Sequence, residues 1–416
     1  MRYDVLIVGG GPAGSVAGCN LVANGLRVAI LDRCRFPRLK PCGGGISCRV
    51  YSRFPYLEPV LRSVPTNFVN KVVLESPSGH VIDFESDGPM YALIRRLEFD
   101  EALLDHCKKG GIEVREDVTV SRVTVTEKGV CLSSTSGEEF EADVVIGADG
   151  VNSVVAVHAG LRGPWRPTQV AVDGTEESPL SDVSAGQAAM HVYFGLGGGY
   201  GYGYVFPKPA HVNFGAGFLL DYVKKHVPAK PYAQHLSLFE DLRARGVLSG
   251  HSERENFHYY PLPFAGPLKK ISTHRILLAG DAAGFVNGFT AEGIYYAMVS
   301  GEHAARTVLA AVHARDASAR FLRRYDEACE AEVGLELRKS VALQKRFYSN
   351  PALIDLVVEF ASRNASVKAL VARFGTGQLS YEEMKRRILV EALPDYLGYQ
   401  TRKLRNWLGA SAPLSH

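Results

Sequence analysis

At 416 residues the chain is longer than one ordinary hydrophobic core supports, so two or three structural units are expected. Its 46% hydrophobic and 22% charged residues suit a globular protein, and a net charge of +3 is too mild to argue for nucleic acid. Seven scattered cysteines argue for a reduced compartment and against a disulfide framework. Cys42 and Cys48 lack a matching Cys or His pair, so no metal is expected. No apolar run is long enough to span a bilayer, and the first strand begins almost at Met1, leaving no room for a signal peptide. A cytoplasmic protein is the expectation.

Tyr3-Asp4-Val5-Leu6-Ile7-Val8 reads as a buried parallel strand. It runs into Gly9-Gly10-Gly11-Pro12-Ala13-Gly14, a G-x-G-x-x-G that opens a helix expected from Ser15 to about Asn24. A second strand, Arg27 to Leu31, ends on Asp32. Gly9 permits the tight turn, Gly11 lets the backbone approach a pyrophosphate, and Gly14 lets helix and strand pack closely. The helix N-terminus faces the phosphates, and Asp32 can accept from ribose hydroxyls.

From Arg33 to Ser47, two prolines and the triplet Gly43-Gly44-Gly45 argue against helix and regular strand. The basic flank of this loop suits phosphates, and its glycines suit close passage beside a planar ring. Cys42 reads either as a small residue in a crowded turn or as a thiol near a redox centre. Asn70–Phe84 reads as a hairpin around Ser76-Pro77-Ser78-Gly79. Tyr91–Arg96 leads into a helix from Glu98 to about Lys109, with Arg96 either a phosphate or ribose contact or a solvated arginine. Glu113–Val120, Arg122–Thr126 and Val130–Ser134 read as strands. Asp143–Ala148 is another buried parallel strand, ending at Asp149-Gly150.

From about Val170 to Pro263 the chain turns aromatic and β-branched, with strands at His191–Phe194 and Tyr204–Lys208 and a hairpin back through Val212–Gly215. Gly197-Gly198-Gly199-Tyr200-Gly201-Tyr202-Gly203-Tyr204 puts tyrosines on one face of an extended segment. That face either stiffens the sheet or walls an apolar, elongated ligand. Arg275–Gly284 returns to the strand-to-helix pattern, with Asp281 placed for a ribose or ribityl hydroxyl. A helix is expected from Gly288-Phe289-Thr290-Ala291-Glu292-Gly293-Ile294 to about His313. N–H groups of Gly293 and Ile294 at its start suit the flavin edge that gathers negative charge on reduction. Ala310 onward is helical, broken at Asn350-Pro351 and Gly375-Thr376-Gly377. The tail, Lys385-Arg386-Arg387 through Arg402 to Leu408 with Tyr396, Leu397, Tyr399 and Trp407, either rests on an anionic membrane or packs on its own domain.

The expected fold class is α/β: a Rossmann-like FAD-binding domain interleaved with an antiparallel-sheet substrate domain, plus a helical C-terminal region. The expected division is 1–169 for the first FAD-binding part with antiparallel insertions, 170–263 for the substrate sheet, 264–313 for the closing FAD-binding part and 314–416 for the helices.

Taken in order, Gly9–Gly14 with Asp32, Lys40–Gly45, Arg96 ahead of Phe99-Asp100, Gly147–Gly150 and Gly280–Gly284 make the chain resemble the geranylgeranyl reductase family. That family belongs to the para-hydroxybenzoate hydroxylase-like FAD-dependent flavoproteins. The resemblance spans roughly Met1 to Ala310 and is most specific over Gly280–Met298. It implies saturation of carbon–carbon double bonds in isoprenoid chains on archaeal-type lipids, chlorophyll side chains or quinone tails. It places FAD contacts on Gly14, Asp32, Arg33, Cys42, Gly43, Gly45, Arg96, Val120, Asp281, Gly293 and Ile294, beside Gly9, Gly11 and Ala13 of the glycine turn, with NADPH or reduced ferredoxin as electron donor. The family's P-x-x-Y-x-W-x-F-P motif falls on Gly199–Pro207, where Gly199 replaces the proline and Tyr204 the tryptophan. This places substrate contacts on Tyr202, Tyr204, Phe206 and Pro207. The arginine that the broader group carries after the Asp-Gly turn is replaced here by Ala156-Val157-His158. Cys42 and Tyr202 are the candidates to supply or relay a proton. The alternatives are a monooxygenase of an aromatic or polyketide substrate on the same scaffold, and a membrane-associated electron carrier to quinone, which should carry iron–sulfur ligands that the scattered cysteines do not form. A halogenase is disfavoured because no W-x-W-x-I-P run is present.

Overall fold

The computed structural model describes residues 2–22, 24–195, 201–227 and 230–387, together with 390 and 398. The Arg2–Val8 strand lies between Val28–Leu31 and Glu139–Gly147, parallel to both. Glu113–Arg115 and Ile276–Leu278 extend the parallel set on either side. Val5, Leu6 and Ile7 are fully buried, as a strand covered by helices on both faces requires. The first helix runs Pro12–Val22, starting earlier than its sequence pattern suggests, because proline lacks the N–H that a first turn leaves unpaired. It packs against the long helix Ile294–Ala314 so closely that a Cβ on Gly301 would collide with the Ala13 carbonyl. Val120–Val125 and Val130–Ser134 form an antiparallel flap on this sheet.

Three further expectations change. The strand expected over Glu113–Val120 ends at Arg115; the chain then turns through Asp117 at φ 60, and Val118 N–H returns to the Asp32 carbonyl. The glycine loop was expected to lack strand, yet Gly45–Ser47 pairs with Tyr91–Leu93 in a small three-stranded sheet completed by Thr66–Val69. Short pairing of this kind needs only extended backbone, which Gly45 supplies. The helix expected from Gly288 begins at Ile294, because Asn287 Oδ1 accepts from the Phe289 and Thr290 N–H groups and holds the preceding turn.

A second sheet of seven strands runs in the order Phe257–Pro263, Val170–Pro179, His211–Leu219, Gly201–Pro207, Met190–Gly195, Lys71–Glu75, Val81–Glu85. All neighbours are antiparallel except Met190–Tyr193 against Val72–Glu75. The Asn70–Phe84 hairpin therefore belongs to this sheet. Helices Leu335–Tyr348, Pro351–Arg363 and Ala365–Gly375 follow the dinucleotide sheet and share an apolar core with the second one. Gly199, Tyr200, Tyr396, Leu397 and residues 399–408 of the tail lie outside the described residues.

Candidate active site

The first crevice lies at the C-terminal ends of the parallel strands, between the Gly9–Ala13 turn, Asp32–Cys34, Arg38–Cys42 and Asp281–Ile294, and encloses about 230 Å³. A Cβ on Gly14 would run into the Gly9 carbonyl, so this glycine sits under the turn and does not face the crevice. Asp32 is buried and accepts Gly10 N–H at 2.7 Å and Cys34 N–H at 2.8 Å, which fixes its carboxylate at the rim.

The other side of the crevice is cationic. Arg96 grips Asp100 through Nε and Nη2, both at 2.7 Å, and Arg38 Nη2 reaches the same carboxylate at 3.0 Å. Arg96 is only 8% exposed, which excludes the solvated-arginine reading. Two guanidiniums on one carboxylate leave an uncompensated positive charge, and Arg38 Nη1 is buried with no hydrogen-bond partner among the described residues. A buried N–H without an acceptor is costly, so this edge calls for an anionic acceptor. Lys40 stands 3.6 Å over the Tyr260 ring, and burial lowers its pKa to about 8 against the pull of Asp281. Pro12 and Ala13, at the start of the Pro12–Val22 helix, line the same space, and a helix start with unpaired N–H groups favours an anion there. These groups fit the diphosphate and sugar of FAD.

Opposite them, Gly293 caps the Ile294–Ala314 helix. Glu292 locks its approach by accepting from Ser47 N–H at 3.1 Å and Arg49 Nη2 at 3.0 Å. Arg49 also lies 3.8 Å from the Tyr295 ring centre and donates to Tyr296 Oη at 2.8 Å.

A second cavity, also about 230 Å³, opens behind the first, and Cys42, Leu262 and Ala291 line both. Alternation along Gly201–Pro207 puts Tyr202, Tyr204 and Phe206 on one wall, with successive ring centres 6.1 and 4.7 Å apart. Pro207 has the opposite parity and does not line the cavity. Gly43 and Gly45 line this cavity rather than the crevice; a Cβ on Gly43 would come within 2.8 Å of the Phe206 ring. The far wall comes from the C-terminal helices through Tyr348, Ile354, Val358, Val371 and Phe374, and the Val72–Phe84 hairpin closes a third side.

Residues 2–205 match the family of FAD binding domains. The chain is 30% identical over 319 residues to the geranylgeranyl diphosphate reductase of Rhodobacter capsulatus, covering 74% of this chain and 76% of that one. It is 30% identical over 357 residues to the digeranylgeranylglycerophospholipid reductase 2 of Methanopyrus kandleri, covering 83% and 87%. The chain belongs to the geranylgeranyl reductase family of FAD-dependent oxidoreductases. The fold of this family member also matches the geranylgeranyl bacteriochlorophyll reductase-like protein of Thermoplasma acidophilum, with a TM-score of 0.80 at 21% identity over 93% of this chain and 98% of that one.

In this reductase-family chain the crevice gathers Gly9, Gly11, Ala13, Asp32, Arg33, Cys42, Arg96, Val120, Asp281, Gly293 and Ile294. His158, in the stretch after the Asp-Gly turn, accepts the Val123 N–H at 3.0 Å through Nδ1 and so fastens the antiparallel flap. Sequence reasoning missed Tyr260, Leu262, Asp173 and the entire helical wall. Among the described residues no helix is long and apolar enough to cross a membrane.

Proposed function

We propose that this chain saturates carbon–carbon double bonds of a geranylgeranyl or related polyprenyl chain carried on a diphosphate, lipid, chlorophyll-type or quinone head. One observation carries the reading: an apolar cavity walled by stacked aromatic rings meets the FAD crevice at Cys42, Leu262 and Ala291. The names of the Rhodobacter capsulatus and Methanopyrus kandleri relatives, both reductases of geranylgeranyl compounds, support it.

Bound FAD, once reduced, supplies the hydride for such a saturation. The protein's own part is to hold the cofactor, align the chain and keep water out. Arg38, Arg96 and the Pro12–Val22 helix start would hold the diphosphate, Asp32 and Asp281 the sugar and ribityl hydroxyls, and the Gly293–Ile294 N–H groups the electron-rich ring edge. Gly14 supports the turn from beneath, and the Gly43–Gly45 segment passes flat between crevice and cavity. Tyr202, Tyr204 and Phe206 would orient the isoprenoid, with Pro207 ending their strand. Cys42 and Tyr202 would flank the reacting bond; the Tyr202 hydroxyl lies 3.4 Å from the Thr290 carbonyl, and burial pushes its pKa well up. The sheet at 170–263 then acts as the substrate-binding part between the two FAD-binding parts. NADPH or reduced ferredoxin is the donor assigned here, and a lipid-borne substrate is collected by peripheral contact from the cytoplasmic side.

The test is anaerobic. The FAD-loaded protein is photoreduced and offered geranylgeranyl diphosphate, prenylated quinones and prenylated lipids in turn. Flavin reoxidation with a mass gain of added hydrogen is expected. Turnover that requires oxygen and adds an oxygen atom instead would overturn the reading in favour of a hydroxylase.

A further inference from the structure

We propose that Asp173 is the acid that delivers the proton to the second carbon of the double bond. This rests on the reductase reading above. Asp173 sits in the Val170–Pro179 strand, in register with Gly217 on one side and Tyr260 on the other. Gly217 in turn faces Tyr202, so Asp173 shares the cavity-facing side of the sheet with the aromatic wall. With no side chain at Gly217, the space between Tyr202 and Asp173 stays open; a Cβ there would come no nearer than 4.0 Å to Asp173 Oδ1.

The two carboxyl oxygens differ. Oδ2 accepts the Tyr204 hydroxyl at 2.9 Å; that hydroxyl lies 2.9 Å from Thr175 Oγ1, which donates to Asn213 Oδ1 at 2.8 Å. Oδ1 is buried with no hydrogen-bond partner among the described residues. An ionised oxygen so placed is costly, whereas a protonated carboxyl tolerates the site and has an O–H to offer whatever fills the cavity. The titratable groups around it are Tyr202 and Tyr204 on one strand, Tyr259 on another and Lys40 from the glycine loop. Burial dominates and raises the Asp173 pKa to about 6, against Tyr204 and Lys40. Burial lifts the Tyr202 and Tyr204 phenols well above their ordinary value, which makes them poor acids beside it.

Saturating one double bond adds a hydride and a proton. The hydride and its electron pair come with reduced FAD, which is oxidised as the alkene is reduced. The proton leaves the Asp173 carboxyl, whose O–H pair stays on oxygen, and the alkene π pair forms the second C–H bond. Tyr204 then steadies the carboxylate, and a proton from solvent restores the acid after the product leaves.

The test uses the FAD-loaded full chain with geranylgeranyl diphosphate and with geranylgeranyl-lipid vesicles, after anaerobic photoreduction. Asp173→Asn is expected to lower turnover by about 10²–10⁴-fold, the usual worth of a general acid. FAD content and the change in the oxidised flavin spectrum on adding the prenyl chain should persist, and Asp173→Glu should recover part of the rate. Without any substrate, infrared spectra of the oxidised protein should show a protonated-carboxyl carbonyl band that fades as pH rises through about 6 and is missing in Asp173→Asn. Should Asp173→Asn fail to load FAD, Tyr204→Phe serves: losing the donor to Oδ2 should move the fading of that band to higher pH. Wild-type turnover with undiminished Asp173→Asn turnover, or no such band, overturns the assignment of Asp173. A wild type that hydrogenates neither probe overturns the reductase reading and the proposal with it, even where the band is present.

Discussion

The buried Asp173 carboxyl should show itself in stability as well as in chemistry. Its folded pKa is raised from 3.8 to about 6, by burial first, with Tyr204 and Lys40 opposing. For a carboxyl raised on folding, the neutral form is the one the fold prefers. Its contribution to stability is fully present below pH ~4 and is lost as pH rises through about 6. By pH 8 the loss from this one group amounts to about 3 kcal/mol, at about 1.4 kcal/mol per pK unit. Asparagine is nearly isosteric, stays neutral, and keeps an oxygen for the Tyr204 hydroxyl. Asp173→Asn should therefore match the wild type near pH 4 and exceed it by up to about 3 kcal/mol at pH 8. Paired thermal and urea unfolding of wild type and variant at pH 4.5, 6 and 8 measures the difference directly, with FAD held at the same saturation. A gain that is flat across pH, or a variant less stable at pH 8, would refute the premise that this carboxyl is held neutral by burial.

Three further outcomes follow from the geometry. Gly14→Ala places a methyl against the Gly9 carbonyl, so the phosphate turn must open; the purified protein should be colourless and fail to take up FAD on titration. Arg49→Ala leaves Glu292 and the Tyr296 hydroxyl, both largely buried, without their cation, which should cost about 3–5 kcal/mol in thermal or urea unfolding and weaken FAD binding at the Gly293 helix start. Val371→Phe adds bulk to the helical wall of the apolar cavity, away from the crevice, so FAD content should hold while KM for a prenyl chain rises, about tenfold or more in steady-state assays.

The parts of this protein that answer to local rules were readable in the sequence. Val5–Val8, the glycine turn and Asp32 form one contiguous unit whose spacing follows from the cofactor's shape, and the structure keeps it. Tyr202, Tyr204 and Phe206 were readable for the same reason, since strand alternation alone sets their common face. Asp173 was not, because a lone aspartate in Val170-Ala171-Val172-Asp173-Gly174 carries no spacing signal; its meaning comes from Tyr204, which reaches it across the intervening His211–Leu219 strand. The role of Glu292 was likewise hidden, since its partner Arg49 is 243 residues away. Tyr348, Ile354 and Phe374 look in sequence like any apolar helix face, and only tertiary packing turns that face towards a ligand.

This division has a consequence for specificity. The residues that would hold the cofactor belong to segments with fixed backbone demands, and a substitution such as Gly14→Ala disturbs the turn itself. The cavity wall is shared among a hairpin near residue 80, a strand near residue 204 and helices beyond residue 335. Most of these contribute apolar side chains whose main requirement is volume; Tyr204, whose hydroxyl donates to Asp173 Oδ2, is held by its chemistry as well. Volume-conserving exchanges in such a wall cost little stability, so chain length and head group can change there without loss of the redox site. The match to the FAD binding domain family ends at residue 205, before any of the helical wall begins. The expected outcome is that exchanging the C-terminal helices with those of a relative transfers preference among prenyl substrates while leaving FAD uptake unchanged, as assays of both activities on the exchanged chain would check.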